Sequence, residues 1–138
     1  MIIYTDGIFD LFHRGHIEYL NLIKETYPNA TLIVGIINDD LSEKYKRKPI
    51  YSSDDRCKII ENIKCVDKII KDAPLIIGED FLNSHNIDLV VHGFSNKQDI
   101  EKQKEFFSIP VALNKFKSIS YYNKISTTDI IRKIKKEY

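Results

Sequence analysis

Ile2-Ile3-Tyr4-Thr5-Asp6-Gly7-Ile8-Phe9-Asp10-Leu11-Phe12-His13-Arg14-Gly15-His16 decides the fold of this chain. It opens as a short continuous apolar run, the pattern of a strand buried on both faces rather than of a half-exposed one. The strand runs into a loop through Gly7 and Asp10, and helical spacing begins a few residues later at Ile17, Leu20, Ile23 and Tyr27. His13 and His16 therefore stand at a strand-to-helix junction, where free amides and the helix dipole favour a phosphate. Gly15 between them omits a side chain where a ligand or neighbouring backbone can come close.

The alternation continues outward. Leu32-Ile33-Val34-Gly35-Ile36-Ile37, Val66 with Ile69-Ile70, and Leu89-Val90-Val91 read as further strands. Helical spacing recurs at Ile59, Ile60 and Ile63, more weakly through Ile100, Phe106 and Phe107, and finally at Ile130, Ile131, Ile134 and Tyr138. Ser126 is a candidate N-cap for that last helix, with Asp129 placed three residues on as in a capping box. The expectation is an α/β, Rossmann-like fold: an open parallel sheet of about five strands with helices on both faces, binding ligands beyond the carboxyl ends of its strands. Residues 1–138 are expected to form one domain. Residues 38–53, carrying Lys44, Lys46, Arg47 and Lys48, read as one long irregular loop, and loops of that length are often functional.

Composition excludes more than it assigns. The 21 basic and 20 acidic residues nearly cancel, so charge steers the chain toward neither nucleic acid nor an anionic membrane. No apolar run approaches the ~20 residues needed to span a bilayer. There is no secretory leader pattern at the N-terminus. Two cysteines, Cys57 and Cys65, without metal-ligand neighbours suggest a reducing compartment, and the expected location is cytoplasmic.

Two imidazoles three residues apart near a helix start can aim N–H groups at oxygens around one phosphorus atom as charge grows there. An attacking phosphate with a second pKa of ~6 is already ionised at neutral pH, so such a site needs no strong base. Alternatives are an ordinary loop histidine beside a helix residue, or metal ligation together with Asp10.

The stretch from Gly7 to His16 resembles the signature of the cytidylyltransferases that act on phosphocholine, phosphoethanolamine and glycerol 3-phosphate. The similarity continues through Leu32-Ile33-Val34-Gly35, Asp39-Asp40-Leu41, Arg56, Val66-Asp67, Ala73-Pro74, Ile87-Asp88, Val91-His92 and Ile125-Ser126-Thr127-Thr128-Asp129-Ile130. The resemblance implies a Rossmann-like nucleotidyltransferase domain, usually a homodimer, that transfers CMP from CTP with Mg²⁺ to a phosphorylated alcohol and releases pyrophosphate. It also implies site roles. His13, His16 and Lys46 would be catalytic; Ile8, Phe9, Asp10, Gly15, Arg56, Ile125, Ser126, Thr127 and Thr128 would bind nucleotide; Lys46 would meet the acceptor. His92, at the carboxyl end of a strand, is a candidate acceptor ligand or a residue that closes the pocket floor. Lys44 and Lys48 are substitutes for Lys46.

The chain also departs from that family. Tyr121-Tyr122-Asn123-Lys124 stands where an Arg-Thr-x-Gly tetrad usually grips the triphosphate, leaving Lys115, Lys117 or Lys124 to supply charge. Gly93-Phe94 follows His92 where acidic residues commonly help select the head group. Leu75 occupies the place of a tryptophan, and the chain has none, so an aromatic cage would need Tyr or Phe. Two rival readings follow: an adenylyltransferase of the same superfamily, and a silent nucleotide-binding dimeric scaffold.

Overall fold

The apolar runs do become strands, and they share one sheet. The computed structural model describes residues 1–119 and 125–138. Strands β1 (Ile2–Gly7), β2 (Thr31–Ile36), β3 (Lys68–Lys71), β4 (Leu89–His92) and β5 (Phe116–Ser118) lie in the order β3-β2-β1-β4-β5. Every neighbouring pair is parallel, with β1 in register with β2 from Ile2 opposite Thr31 to Gly7 opposite Ile36. The order reverses between β1 and β4, which makes their carboxyl ends the switch point where such sheets bind ligands.

The helices are α1 (Arg14–Thr26), α2 (Asp39–Tyr45), α3 (Ser53–Glu61), α4 (Glu79–Ser84), α5 (Lys97–Gln103), α6 (Ser108–Ala112) and α7 (Thr127–Glu137), with a 3₁₀ turn over Lys104–Phe107. They cover both faces of the sheet. On one face Ile3, Leu32 and Val34 pack with Leu20 and Ile23 of α1 and Ile60 of α3. On the other, Tyr4, Ile33 and Val90 pack with Leu82 of α4 and with Phe107. Each such aliphatic side chain contributes roughly 1.5–3 kcal/mol of burial, so the two layers fix the ends of β1 and β4 in place.

Two expectations need correction. Val66 precedes β3 rather than opening it, because Asp67 turns the chain there: its carboxylate accepts the Leu32 N–H at 2.7 Å and pairs with Lys24 at 3.0 Å. Residues 38–53 are not one loop. Asn38 caps α2 by accepting the Leu41 N–H at 2.9 Å, and Ser52 caps α3 by accepting from Asp55 at 3.3 Å. The irregular part shrinks to residues 46–52. Ser126 does cap α7, accepting the Asp129 N–H at 3.1 Å. Among the described residues no helix is long and apolar enough to cross a membrane.

Tyr4 is fully buried, yet its hydroxyl has no partner among the described residues. A buried hydroxyl without a hydrogen bond destabilises the fold. Tyr4→Phe is therefore expected to raise stability by about 1 kcal/mol, read as a higher urea midpoint with an unchanged slope.

Candidate active site

Above the switch point lies a cavity of about 380 Å³, bounded by the loop after β1, the start of α1, the end of α2 with the loop that follows, the end of β4, α5, and the start of α7. The sequence motif at its base is built as follows. His13 is the N-cap of α1, and its Nδ1 accepts the Gly15 N–H at 2.9 Å; His16 Nδ1 accepts the His13 N–H at 3.1 Å. This is a capping box made from two imidazoles.

That reciprocity fixes the tautomers. A ring whose Nδ1 accepts from a backbone amide carries its proton on Nε2 when neutral. Both rings are kept neutral. Burial lowers the His16 pKa from 6.5 to about 3, helped by His13 and Lys46, and burial also lowers that of His13 against the pull of Asp129. The rings stack with centroids 3.9 Å apart and planes at 28°, backed by Phe12 at 5.2 Å from His16. His13 Nε2 is buried without a partner among the described residues, in a ring that lines the cavity. The pair is thus a preformed N–H donor site for an anion.

Gly15 does not border the cavity. A Cβ there would fall 2.7 Å from His13 Cε1, 2.9 Å from its Nδ1 and 3.1 Å from the Ile125 carbonyl oxygen. The glycine makes room for the His13 ring and for the backbone before α7, not for a ligand. Gly15→Ala is expected to displace His13 and lower turnover about 10–100-fold, while circular dichroism shows the helix content retained.

The α7 end supplies a second anion-binding element. Ser126, Thr127 and Thr128 border the cavity, but their hydroxyl groups already have partners. Ser126 caps the helix, Thr127 Oγ1 donates to the Asp10 carbonyl at 2.7 Å, and Arg47 Nη1 donates to Thr128 Oγ1 at 3.2 Å. The amides of this helix start and the Arg47 guanidinium are the groups suited to phosphate oxygens. Lys46 reaches the same cavity, whereas Lys44 and Lys48 do not border it. Desolvation by the surrounding protein lowers the Lys46 pKa; Asp99 opposes that, and Arg47 and Lys102 add to it. Ile8 and Phe9 line the cavity; Ile125 does not border it, its carbonyl lying against Gly15 instead.

The side chains of Arg56 and Asp10 are both committed to protein partners. Arg56 is fully buried. Its guanidinium donates to the carbonyls of Tyr51, Ile8 and Ile37 and to Asp39 at 2.6 Å, leaving it away from the cavity. Asp10 borders the cavity, and its carboxylate accepts from the N–H groups of Leu11, Ile50 and Tyr51, so those oxygens are committed to backbone amides.

The opposite wall is acidic, and sequence reading missed it. Asp6, at the end of β1, is buried with His92 Nδ1 3.4 Å away; Tyr45, Asp99 and Gln103 complete the wall. Asp99 is held by Ser95 and by Gln103 Nε2 at 2.6 Å, and those hydrogen bonds together with Lys46 keep its carboxyl below the usual carboxylate range against the opposing effect of burial. His92 lies at the cavity as expected, packed on Phe107 at 4.5 Å and Phe94 at 4.9 Å. The cavity therefore joins a half whose groups suit phosphate to a half whose carboxylates suit a cation. Residues 121–124, where the tetrad departs from the family pattern, lie outside the described residues.

This fold and cavity define a doubly wound α/β protein with an anion site at its switch point. The chain belongs to the cytidylyltransferase-like family, whose model matches residues 4–133. Choline-phosphate cytidylyltransferase 2 of Arabidopsis thaliana is 36% identical over 99% of this chain and 45% of its own length. The choline-phosphate cytidylyltransferase of Saccharomyces cerevisiae is 37% identical over 99% of this chain and 32% of its own. The ethanolamine-phosphate cytidylyltransferase of Arabidopsis thaliana is 34% identical over 96% of this chain and 32% of its own. The chain thus spans less than half the length of these curated relatives. Among solved structures, a lipopolysaccharide core biosynthesis protein from Thermoplasma volcanium superposes with a TM-score of 0.70 at 25% identity, covering 89% of this chain and 98% of that one.

Proposed function

We propose that this chain is a nucleotidyltransferase that transfers CMP from CTP to a small phosphorylated alcohol, releasing pyrophosphate. The observation that carries the reading is the pair of neutral histidines, with Nδ1 atoms committed to backbone amides and Nε2–H groups left for the α-phosphate. In-line attack by the acceptor's phosphate oxygen forms the new P–O bond as the bond to the leaving pyrophosphate breaks, and the imidazole N–H groups stabilise the equatorial oxygens. Lys46 would bridge the acceptor phosphate and the α-phosphate, and Arg47 with the start of α7 would hold the β- and γ-phosphates. Mg²⁺ would enter as part of the CTP complex, held by phosphate oxygens and water, and would offset charge on the departing pyrophosphate.

Asp6 and Asp99 favour an acceptor whose alcohol carries a positive head, since a phosphate at Lys46 would then have its cation beside carboxylates. The names of the relatives agree with this, being choline- and ethanolamine-phosphate enzymes. A homodimer belongs to the same proposal and is testable by light scattering. The decisive assay measures pyrophosphate release with Mg²⁺ and either CTP or ATP, against phosphocholine, phosphoethanolamine and glycerol 3-phosphate. Release with CTP and an amino-alcohol phosphate supports the reading; release with ATP alone would replace it with adenylyl transfer, and no release from any pair would leave a binding scaffold.

A further inference from the structure

The loop over residues 46–52 carries Lys46 and Arg47 into the cavity, yet little of its own packing holds it there. Ile50 is 54% exposed and Tyr51 39% exposed. The loop is fixed through its backbone instead: at its start the N–H groups of Lys46 and Arg47 donate to the Ser42 carbonyl of α2, each at 3.0 Å, and its far end meets Asp10. Asp10 Oδ2 accepts the Ile50 N–H at 2.7 Å, and Asp10 Oδ1 accepts the Tyr51 N–H at 2.9 Å. Arg56 Nε then donates to the Tyr51 carbonyl at 3.1 Å, while Arg56 Nη1 donates to the Ile8 carbonyl at 2.8 Å. Tyr51 is held at both ends of its backbone, from one side by the loop after β1 and from the other by α3.

Asp10 is itself over-determined. Its carbonyl accepts from Thr127 Oγ1, its Oδ1 also accepts the Leu11 N–H at 3.1 Å, and the residues on either side have left-handed backbones, Phe9 with φ 55° and Leu11 with φ 47°. Non-glycine residues adopt that region only where their surroundings hold them there. The contacts therefore converge on a carboxylate that is 5% exposed and spent on amides of another loop.

We infer that Asp10 is a positioning residue: by clamping the backbone of Ile50 and Tyr51, with Arg56 on the far side, it sets where Lys46 stands in the cavity. The inference rests on the proposed role of Lys46 at the phosphates, but the clamp itself is open to test without any activity. Asp10→Asn keeps the size and removes the right chemistry. An amide presents one acceptor oxygen and an NH₂ that meets another donor, so one of the two loop amides loses its partner.

The experiment has two arms. Backbone hydrogen exchange should show the Ile50 and Tyr51 amides protected in the wild type and at least one of them exchanging about 10–100-fold faster in Asp10→Asn, the range expected for one lost charge-assisted hydrogen bond. Wild-type amides exchanging at the unfolded-chain rate, or protection unchanged in the variant, overturns the clamp. The wild-type measurement decides the matter even if the variant does not fold. In the second arm, CMP transfer is measured for Asp10→Asn, Lys46→Ala and both together. Acting through Lys46, Asp10→Asn should lower catalytic efficiency in the wild type and add little in the Lys46→Ala background. Losses that multiply would show that Asp10 acts other than through Lys46 and would overturn the positioning role. If the wild type transfers no CMP, the proposed function fails while the exchange arm still reads the clamp.

Discussion

His16→Ala is expected to lower the rate of CMP transfer roughly 10²–10³-fold, the usual effect of removing one preorganised donor to a developing oxyanion. Its ring is buried, neutral and oriented by the His13 N–H, so it is built to donate from Nε2 rather than to shuttle a proton. The pH dependence separates those roles. His16 acting as base would impose an acid limb at its own pKa, which burial lowers to about 3. Here the limb should follow the acceptor phosphate, whose second pKa is ~6, and it should persist in His16→Gln. A limb that vanishes with His16 would sink the donor assignment.

Stability carries the same signature with a defined sign. The folded His16 pKa of about 3 lies below the ordinary imidazole value of 6.5, so the unfolded chain takes up the proton first as pH falls. Wild-type stability is thus expected to decline between those two values as acid is added, and His16→Gln should decline less. Urea midpoints measured across that range give the comparison directly.

The sheet was largely legible because strands buried on both faces announce themselves as unbroken apolar runs, as β1, β2 and β4 do. β5 escaped, since Phe116 is the one apolar residue of a three-residue edge strand. α2 escaped because its apolar positions are few, although Asn38 followed by Asp39 and Asp40 is a legible helix start. The histidine pair was visible from spacing alone. The acidic wall was not: Asp6, Tyr45, Asp99 and Gln103 come from β1, α2 and α5, and only the crossing of the chain at the switch point brings them together. Asp10 was visible as a site residue but not its task, because its partners lie 40 and 41 positions away.

Arg56→Met should cost about 3–5 kcal/mol of folding stability, the usual result of removing one partner from a buried charged network. The reason lies in what the guanidinium leaves behind. Its donors serve three backbone carbonyls, those of Ile8, Ile37 and Tyr51, and the Asp39 carboxylate. A methionine fills the space but donates nothing, and a buried carbonyl without a donor costs about 1–3 kcal/mol. Asp39 contributes less, because its side chain is 45% exposed and water can replace the lost partner. Asp39→Ala, by contrast, leaves the fully buried guanidinium without its counter-charge and is accordingly expected to cost about 1–3 kcal/mol. Arg56→Lys should not restore the wild type, since a single ammonium cannot reproduce the planar fork that reaches four acceptors at once. If urea unfolding placed Arg56→Met within about 1 kcal/mol of the wild type, the arginine would be a dispensable surface group. The loop bearing Lys46 and Arg47 would then have to be held by something other than the Tyr51 backbone.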